Sequence, residues 1–244
     1  MIYDTHCHLN QLSALQLAEQ IELDCTYLSV GTSNKDWSSI LELSKVFKNI
    51  YPALGLHPWL VDKHYSLQLD QLTELIKCHS INAIGEIGLD FSVNHIPSKS
   101  FQLEAFEQQL QIAHTNNLPI SVHVYKAHSA LLTLLKKYQV TGVIHGLGSS
   151  LEVAKSYLDL GYKIGVNGVS VKENAVRYHR MIDYFPIQSF VLETDAPNVV
   201  LPGHNSASLR DIHQVISQIS NISGLSKHIV KQVTSSNAQS IFQF

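Results

Sequence analysis

His6 and His8 stand two apart in the opening run Ile2-Tyr3-Asp4-Thr5-His6-Cys7-His8-Leu9. In an extended strand successive side chains point to opposite faces, so the two imidazoles share a face about 6.6 Å apart while Cys7 turns away. Two imidazoles so placed can converge on one divalent ion, with Zn–N distances of about 2.0–2.1 Å, where a strand end admits water. An isolated H-x-H equally describes one buried, hydrogen-bonded histidine beside an exposed one, so the pair acquires meaning only from the rest of the chain. Further ligand-type residues close apolar runs downstream: His57 after Ala53-Leu54-Gly55-Leu56, Glu86 after Ala83-Ile84-Gly85, His123 after Ile120-Ser121-Val122, His145 after Gly142-Val143-Ile144, and Asp195 after Val191-Leu192-Glu193-Thr194. A charged or imidazole group at such a place needs a partner to offset its desolvation. Four imidazoles (His6, His8, His123, His145) and two carboxylates (Glu86, Asp195) match the donor supply of a binuclear hydrolytic centre. Nitrogen and oxygen ligands of this kind suit Zn, Mn or Mg, and a carboxylate can bridge two ions. The other nine of the 14 histidines, His204 among them, fall in helices or loops, where a solvated or capping role is the expectation.

The elements that would position these residues are legible as a repeat. Short β-rich runs (2–9, 25–31, 50–57, 81–86, 119–123, 140–145, 162–167 and 189–195) alternate with segments of helical spacing, such as Leu12 to Glu22 and the face Leu103, Phe106, Leu110, Ala113. Asn34 reads as the cap of the second helix. About eight strands alternating with helices through short loops predict a (β/α)₈ barrel. A doubly wound open sheet is the alternative, disfavoured because no G-x-G-x-x-G turn follows the first strand. Two terminal helices, Leu209 to Ile222 and Ser226 to Phe242, complete a single domain over 1–244. In a parallel barrel the carboxyl ends of all strands meet at one rim, where His6, His8, His57, Glu86, His123, His145 and Asp195 would become neighbours.

Composition narrows the function. With 45% hydrophobic residues over 244 positions the chain can bury one substantial core. A formal charge of −3 excludes bulk electrostatic binding of nucleic acid, so any phosphate contact must be local. Three scattered cysteines without C-x-x-C spacing argue against a disulfide framework and fit a reducing cytoplasm. No uninterrupted apolar stretch reaches the length of a membrane span, and no obligate protein partner is evident.

The ordered runs Asp4-Thr5-His6-Cys7-His8, Gly55-Leu56-His57-Pro58, Gly85-Glu86-Ile87-Gly88-Leu89-Asp90, Ser121-Val122-His123, Val143-Ile144-His145-Gly146 and Leu192-Glu193-Thr194-Asp195-Ala196-Pro197 resemble the motif set of the TatD family, from residue 1 to about 242. That family comprises metal-dependent hydrolases with an amidohydrolase-like barrel, several of them deoxyribonucleases. The resemblance implies His6, His8 and Asp195 on one ion, His123 and His145 on a second, and Glu86 bridging both. Two departures stand out. Where many members have arginine two positions after the fifth-strand histidine, this chain has Tyr125 followed by Lys126, and where they often have Arg-Asn it has His204-Asn205. Both arginines would have offered bidentate contacts to phosphate.

The expectation is a phosphodiesterase, a DNase working from a strand end, with Asp195 and Glu86 catalytic and His57, Lys126 and His204 contacting substrate. Lys126 and His204 would partly replace the missing arginines. A small-molecule amidohydrolase or phosphoesterase with the same centre is the enzymatic alternative. A non-catalytic metal protein fits worst, because structural zinc sites are usually closed, often thiolate-rich tetrahedra.

Overall fold

The computed structural model describes residues 1–244. Eight parallel strands close in chain order into a barrel: β1 (Ile2–Cys7), β2 (Cys25–Val30), β3 (Ile50–Leu54), β4 (Ala83–Asp90), β5 (Ile120–Tyr125), β6 (Gly142–Ile144), β7 (Lys163–Val166) and β8 (Phe190–Leu192). Around them run α1 (Ala14–Gln20), α2 (Trp37–Val46), α3 (Tyr65–Cys78), α4 (Lys99–Thr115), α5 (His128–Leu135), α6 (Leu151–Leu158) and α7 (Val176–Tyr184), followed by α8 (Ile212–Ser223) and α9 (Lys227–Phe242). No helix is long and apolar enough to cross a membrane.

Alternation along the strands, interrupted by register shifts between Asp4 and Cys7 in β1 and between Ile84 and Ile87 in β4, divides the apolar residues in two. One set, including Tyr27, Ile84, Ile144 and Leu192, faces the helices and joins Trp37, Phe106 and Leu110. Cys7 lies in this outer layer, its Sγ 3.4 Å from the Leu28 carbonyl oxygen. The other set, Tyr3, Leu28, Ala53, Ala83, Val143 and Val191, fills the barrel and packs on Ala238, Ile241 and Phe242 of α9. Closure between β1 and β8 rests on the pair Asp4 and Leu192 and continues past the strands, where the Asp195 amide donates to His6 O (2.9 Å) and the His8 amide to Ala196 O (2.8 Å).

Two local expectations are corrected. Asp36, not Asn34, occupies the cap position of α2, and its carboxylate turns back to accept from the amides of Thr32 (2.9 Å) and Ser33 (3.2 Å). Asn34 instead donates across to Gln71 Oε1 at 2.7 Å. β4, expected over 81–86, spans Ala83–Asp90 and so continues four residues beyond Glu86. Gly88 has φ +149, and a Cβ there would sit 1.9 Å from His123 O, so the glycine is what lets β4 approach β5 this closely.

Candidate metal centre

Glu86 is the hub of the rim. Its Oε2 lies 3.4 Å from His6 Nε2 and 3.6 Å from His8 Nε2, while Oε1 lies 3.4 Å from His57 Nε2 and 3.2 Å from His123 Nδ1. Asp195 completes the group, with Oδ1 3.5 Å from His8 Nε2 and Oδ2 3.5 Å from His145 Nε2. The His6 and His8 rings converge edge to face at 5.2 Å, and His6 stacks on His145 at 3.5 Å. All of these side chains but the fully buried His6 line one cavity of ≈ 360 Å³.

The outward nitrogen of each ring decides what its inward nitrogen can do. His8 Nδ1 meets the Val30 carbonyl (3.2 Å), His145 Nδ1 meets Glu193 Oε2 (2.9 Å), and His123 Nε2 meets Asp90 Oδ2 (3.1 Å). Carbonyl and carboxylate oxygens only accept, so in the neutral ring each of these nitrogens carries the hydrogen and the inward one presents a lone pair. His57 is the reverse. Its Nδ1 accepts from the Trp59 amide (3.2 Å), so its hydrogen sits on Nε2 and is directed at Glu86. His6 Nδ1 pairs with Ser121 Oγ at 2.8 Å, and its buried Nε2 has no hydrogen-bond partner.

Lone pairs of His8, His123 and His145 therefore face carboxylate oxygens at 3.2–3.6 Å, an arrangement that repels unless a cation lies between them. With the orphaned His6 Nε2, this donor set fits a divalent ion. In its absence protons take that role. Burial presses the His123 imidazole down, but hydrogen bonds to Asp90 and Glu86 outweigh it and carry the group up to about 9. Burial likewise opposes charge on His145, and Glu193 and Asp195 lift it well above its ordinary range. Glu86 is driven up by burial and, more strongly, down by His57 and His6, ending well below the usual carboxylate range.

Asp90, Glu193 and Ser121 hold rings in place, as second partners of metal-site histidines commonly do, and nothing in the linear order of residues singles out Asp90 or Ser121 for that role. Glu193 offered a faint signal, because it precedes Asp195 by two in a run otherwise apolar. A Cβ on Gly165 would meet Glu193 Oε1 at 2.0 Å, which reserves that position for glycine. Asp195 itself sits at φ 56, a left-handed conformation that aspartate tolerates better than bulky residues, and Asn198 Nδ2 donates to its Oδ1 at 3.2 Å. The backbone is thus turned so that the carboxylate enters the cavity.

His57, expected at the substrate, lines the cavity and donates to Glu86. Two other expectations meet a different geometry. His145, which the resemblance grouped with His123, faces the Asp195 carboxylate that His8 also faces, because Glu193 clamps its other nitrogen. Lys126 and His204 do not line the cavity: Lys126 Nζ lies 5.4 Å from the Tyr125 ring centroid, and His204 Nδ1 faces Asp211 Oδ1 at 3.7 Å.

Fold and donor set together define a metal-dependent hydrolase of the barrel class. The family described as TatD related DNase matches residues 3–243, and the chain belongs to it. Among relatives, the metal-dependent hydrolase YjjV of Escherichia coli K12 is 34% identical over 211 residues, covering 82% of this chain and 81% of its own. A metal-dependent hydrolase of Haemophilus influenzae Rd is 31% identical over 259 residues, with 98% of both chains covered. The crystal structure of YjjV superposes with a TM-score of 0.92 at 27% identity, over 100% of this chain and 98% of that one. At 15% identity a dihydroorotase shares the fold with a TM-score of 0.70, covering 72% of its length.

Proposed function

We propose that the protein hydrolyses phosphodiester bonds of DNA, as a deoxyribonuclease acting at a strand end, with two divalent ions in the rim. One observation carries the reading: the two oxygens of Glu86 face His6 and His8 on one side and His123 on the other, the disposition a bridging carboxylate requires. His6, His8, Glu86 and Asp195 would hold one ion and His123 and Glu86 the second, with His145 reaching the pair from the side of Asp195. Imidazole-rich donors favour Zn over Mg. Bound ions would supply Lewis acidity and acidify water toward a pKa of about 7. The chain contributes the rest. Asp195, held by Asn198, accepts the proton of the attacking water and returns it to the leaving oxygen. His57 Nε2–H fixes the orientation of Glu86. Free thiols at Cys7, Cys25 and Cys78 suit a cytoplasmic setting.

A second reading, hydrolysis of a small amide or phosphoester, is favoured by the cavity lining, which contains neither lysine nor arginine. A screen of the Zn- and Mn-reconstituted protein against single-stranded DNA, RNA, bis(p-nitrophenyl) phosphate and cyclic amides separates the two, with Glu86→Ala as control. Turnover of DNA above the generic diester, abolished in the control, supports the nuclease. Turnover confined to the amides refutes it.

A further inference from the structure

Trp59 is 55% exposed at the cavity mouth, yet it is fixed in one orientation. Its indole Nε1–H donates to Asp90 Oδ2 at 2.6 Å, and the same oxygen meets His123 Nε2 at 3.1 Å. The ring lies nearly parallel to His95 (centroids 5.1 Å, 11° between planes) and meets His57 and His123 edge to face at 4.9 and 5.9 Å. The other tryptophan, Trp37, is buried at 1% exposure. Half-exposed Leu60 adjoins Trp59 and lines the cavity with it. The mouth is thus aromatic and apolar where no cationic side chain lines the cavity.

An indole of this size costs free energy to leave in water, and a rigid, pre-oriented aromatic face loses little entropy when something stacks on it. The ligand it fits is a flat, aromatic, weakly polar ring attached to a group that reaches the centre. We propose that Trp59 is the stacking platform for an unpaired nucleobase next to the scissile phosphate, a role that rests on the phosphodiesterase reading. Every base has a π-face, so the platform selects for single-stranded ends and tolerates any sequence. It also accounts for a phosphate site without arginine: the base holds the strand while the ions hold the phosphate.

The test compares kcat/KM of the Zn-loaded protein on a short single-stranded oligonucleotide and on the same strand with abasic residues at both ends. Wild type should prefer the base-bearing strand by roughly ten- to hundredfold. Trp59→Leu should bring that ratio close to one, and Trp59→Phe should retain part of it. If Trp59→Leu slows both substrates equally, Trp59 only supports Asp90 and His123, and the platform is wrong while the phosphodiesterase stands. If wild type cleaves neither strand, the phosphodiesterase reading falls, and fluorescence decides the platform. Trp37 is shielded, so a phosphorothioate oligonucleotide should quench the component of emission that Trp59→Leu removes. No quenching overturns the proposal.

Discussion

The two ends of the barrel interior are built from the same strands and opposite chemistry. At the amino end Tyr3, Leu28, Ala53, Ala83, Val143 and Val191 pack on Ala238, Ile241 and Phe242, and the Phe244 ring lies 5.0 Å from both Tyr3 and Tyr51. Two residues further along the same face, Val143 gives way to His145 and Val191 to Glu193, a rise of only about 7 Å. The lower end satisfies itself, because hydrocarbon leaving water is favourable without any partner. The upper end does not: its inward nitrogens and carboxylates need a cation between them. Stability is therefore concentrated at the end that does no chemistry, and reactivity at the end that is expensive to fold.

Four substitutions would break or sharpen this contrast. The largest effect belongs to Glu86→Ala, which removes the one carboxylate facing His6, His8, His57 and His123. Bound divalent metal, read by elemental analysis, should be lost together with hydrolytic activity, while the circular dichroism of the folded protein is kept. Metal retained at wild-type level would remove Glu86 from the centre.

Phe242→Ala attacks the opposite end. Truncating a phenylalanine that is 1% exposed should cost about 3–5 kcal/mol, or a fall in Tm of roughly 10 °C for a chain of this size. Metal content should not change. A variant that loses its metal at a temperature where it remains folded would show that the two ends are coupled.

Asp195→Asn keeps an oxygen donor but no basic group, so at saturating metal it should retain much of its ion and lose about 10²-fold in kcat. If the fully metallated variant turns over at the wild-type rate, Asp195 is a ligand only and the proton goes elsewhere.

The smallest effect is at Asp4, which lies between the two ends. Burial lifts its carboxyl to about 7 against the opposing hydrogen bonds from the Thr194 hydroxyl, the Thr194 amide and the His6 amide. The folded state then binds the proton more tightly than the unfolded chain, where the group titrates near 3.8. Stability of the metal-free protein should fall as pH rises between those values, with the full cost present above about 7. Asp4→Asn cannot ionise and should gain on wild type across that window, by about 1 kcal/mol once the altered pairing with Thr194 is included. Urea denaturation at pH 4.5, 6 and 8 measures it, and a difference that shrinks with rising pH would contradict the burial argument.

How far the sequence reached differs from residue to residue. Period and composition determine that apolar runs alternate with helices, that eight of them close a barrel, and that His6, His8, His145 and Asp195 stand at or just past the carboxyl ends of their strands, whereas β4 and β5 run on past Glu86 and His123. Strand alternation also determines that Cys7 turns to the outer layer, where it packs. These follow because face and order are local properties, repeated every two or 3.6 residues. The orientation of each ring is not local. It depends on partners such as Ser121, which is 115 residues from His6, and Glu193, which is 48 from His145. The exception is His57, whose hydrogen the Trp59 amide, two residues on, fixes locally; only the closed barrel decides that Glu86 stands opposite it, that Asp90 ties Trp59 to His123, and that Lys126 and His204 stay outside the cavity. A sequence names the donors in order along a line. Which nitrogen each one presents is settled by what the fold places behind it.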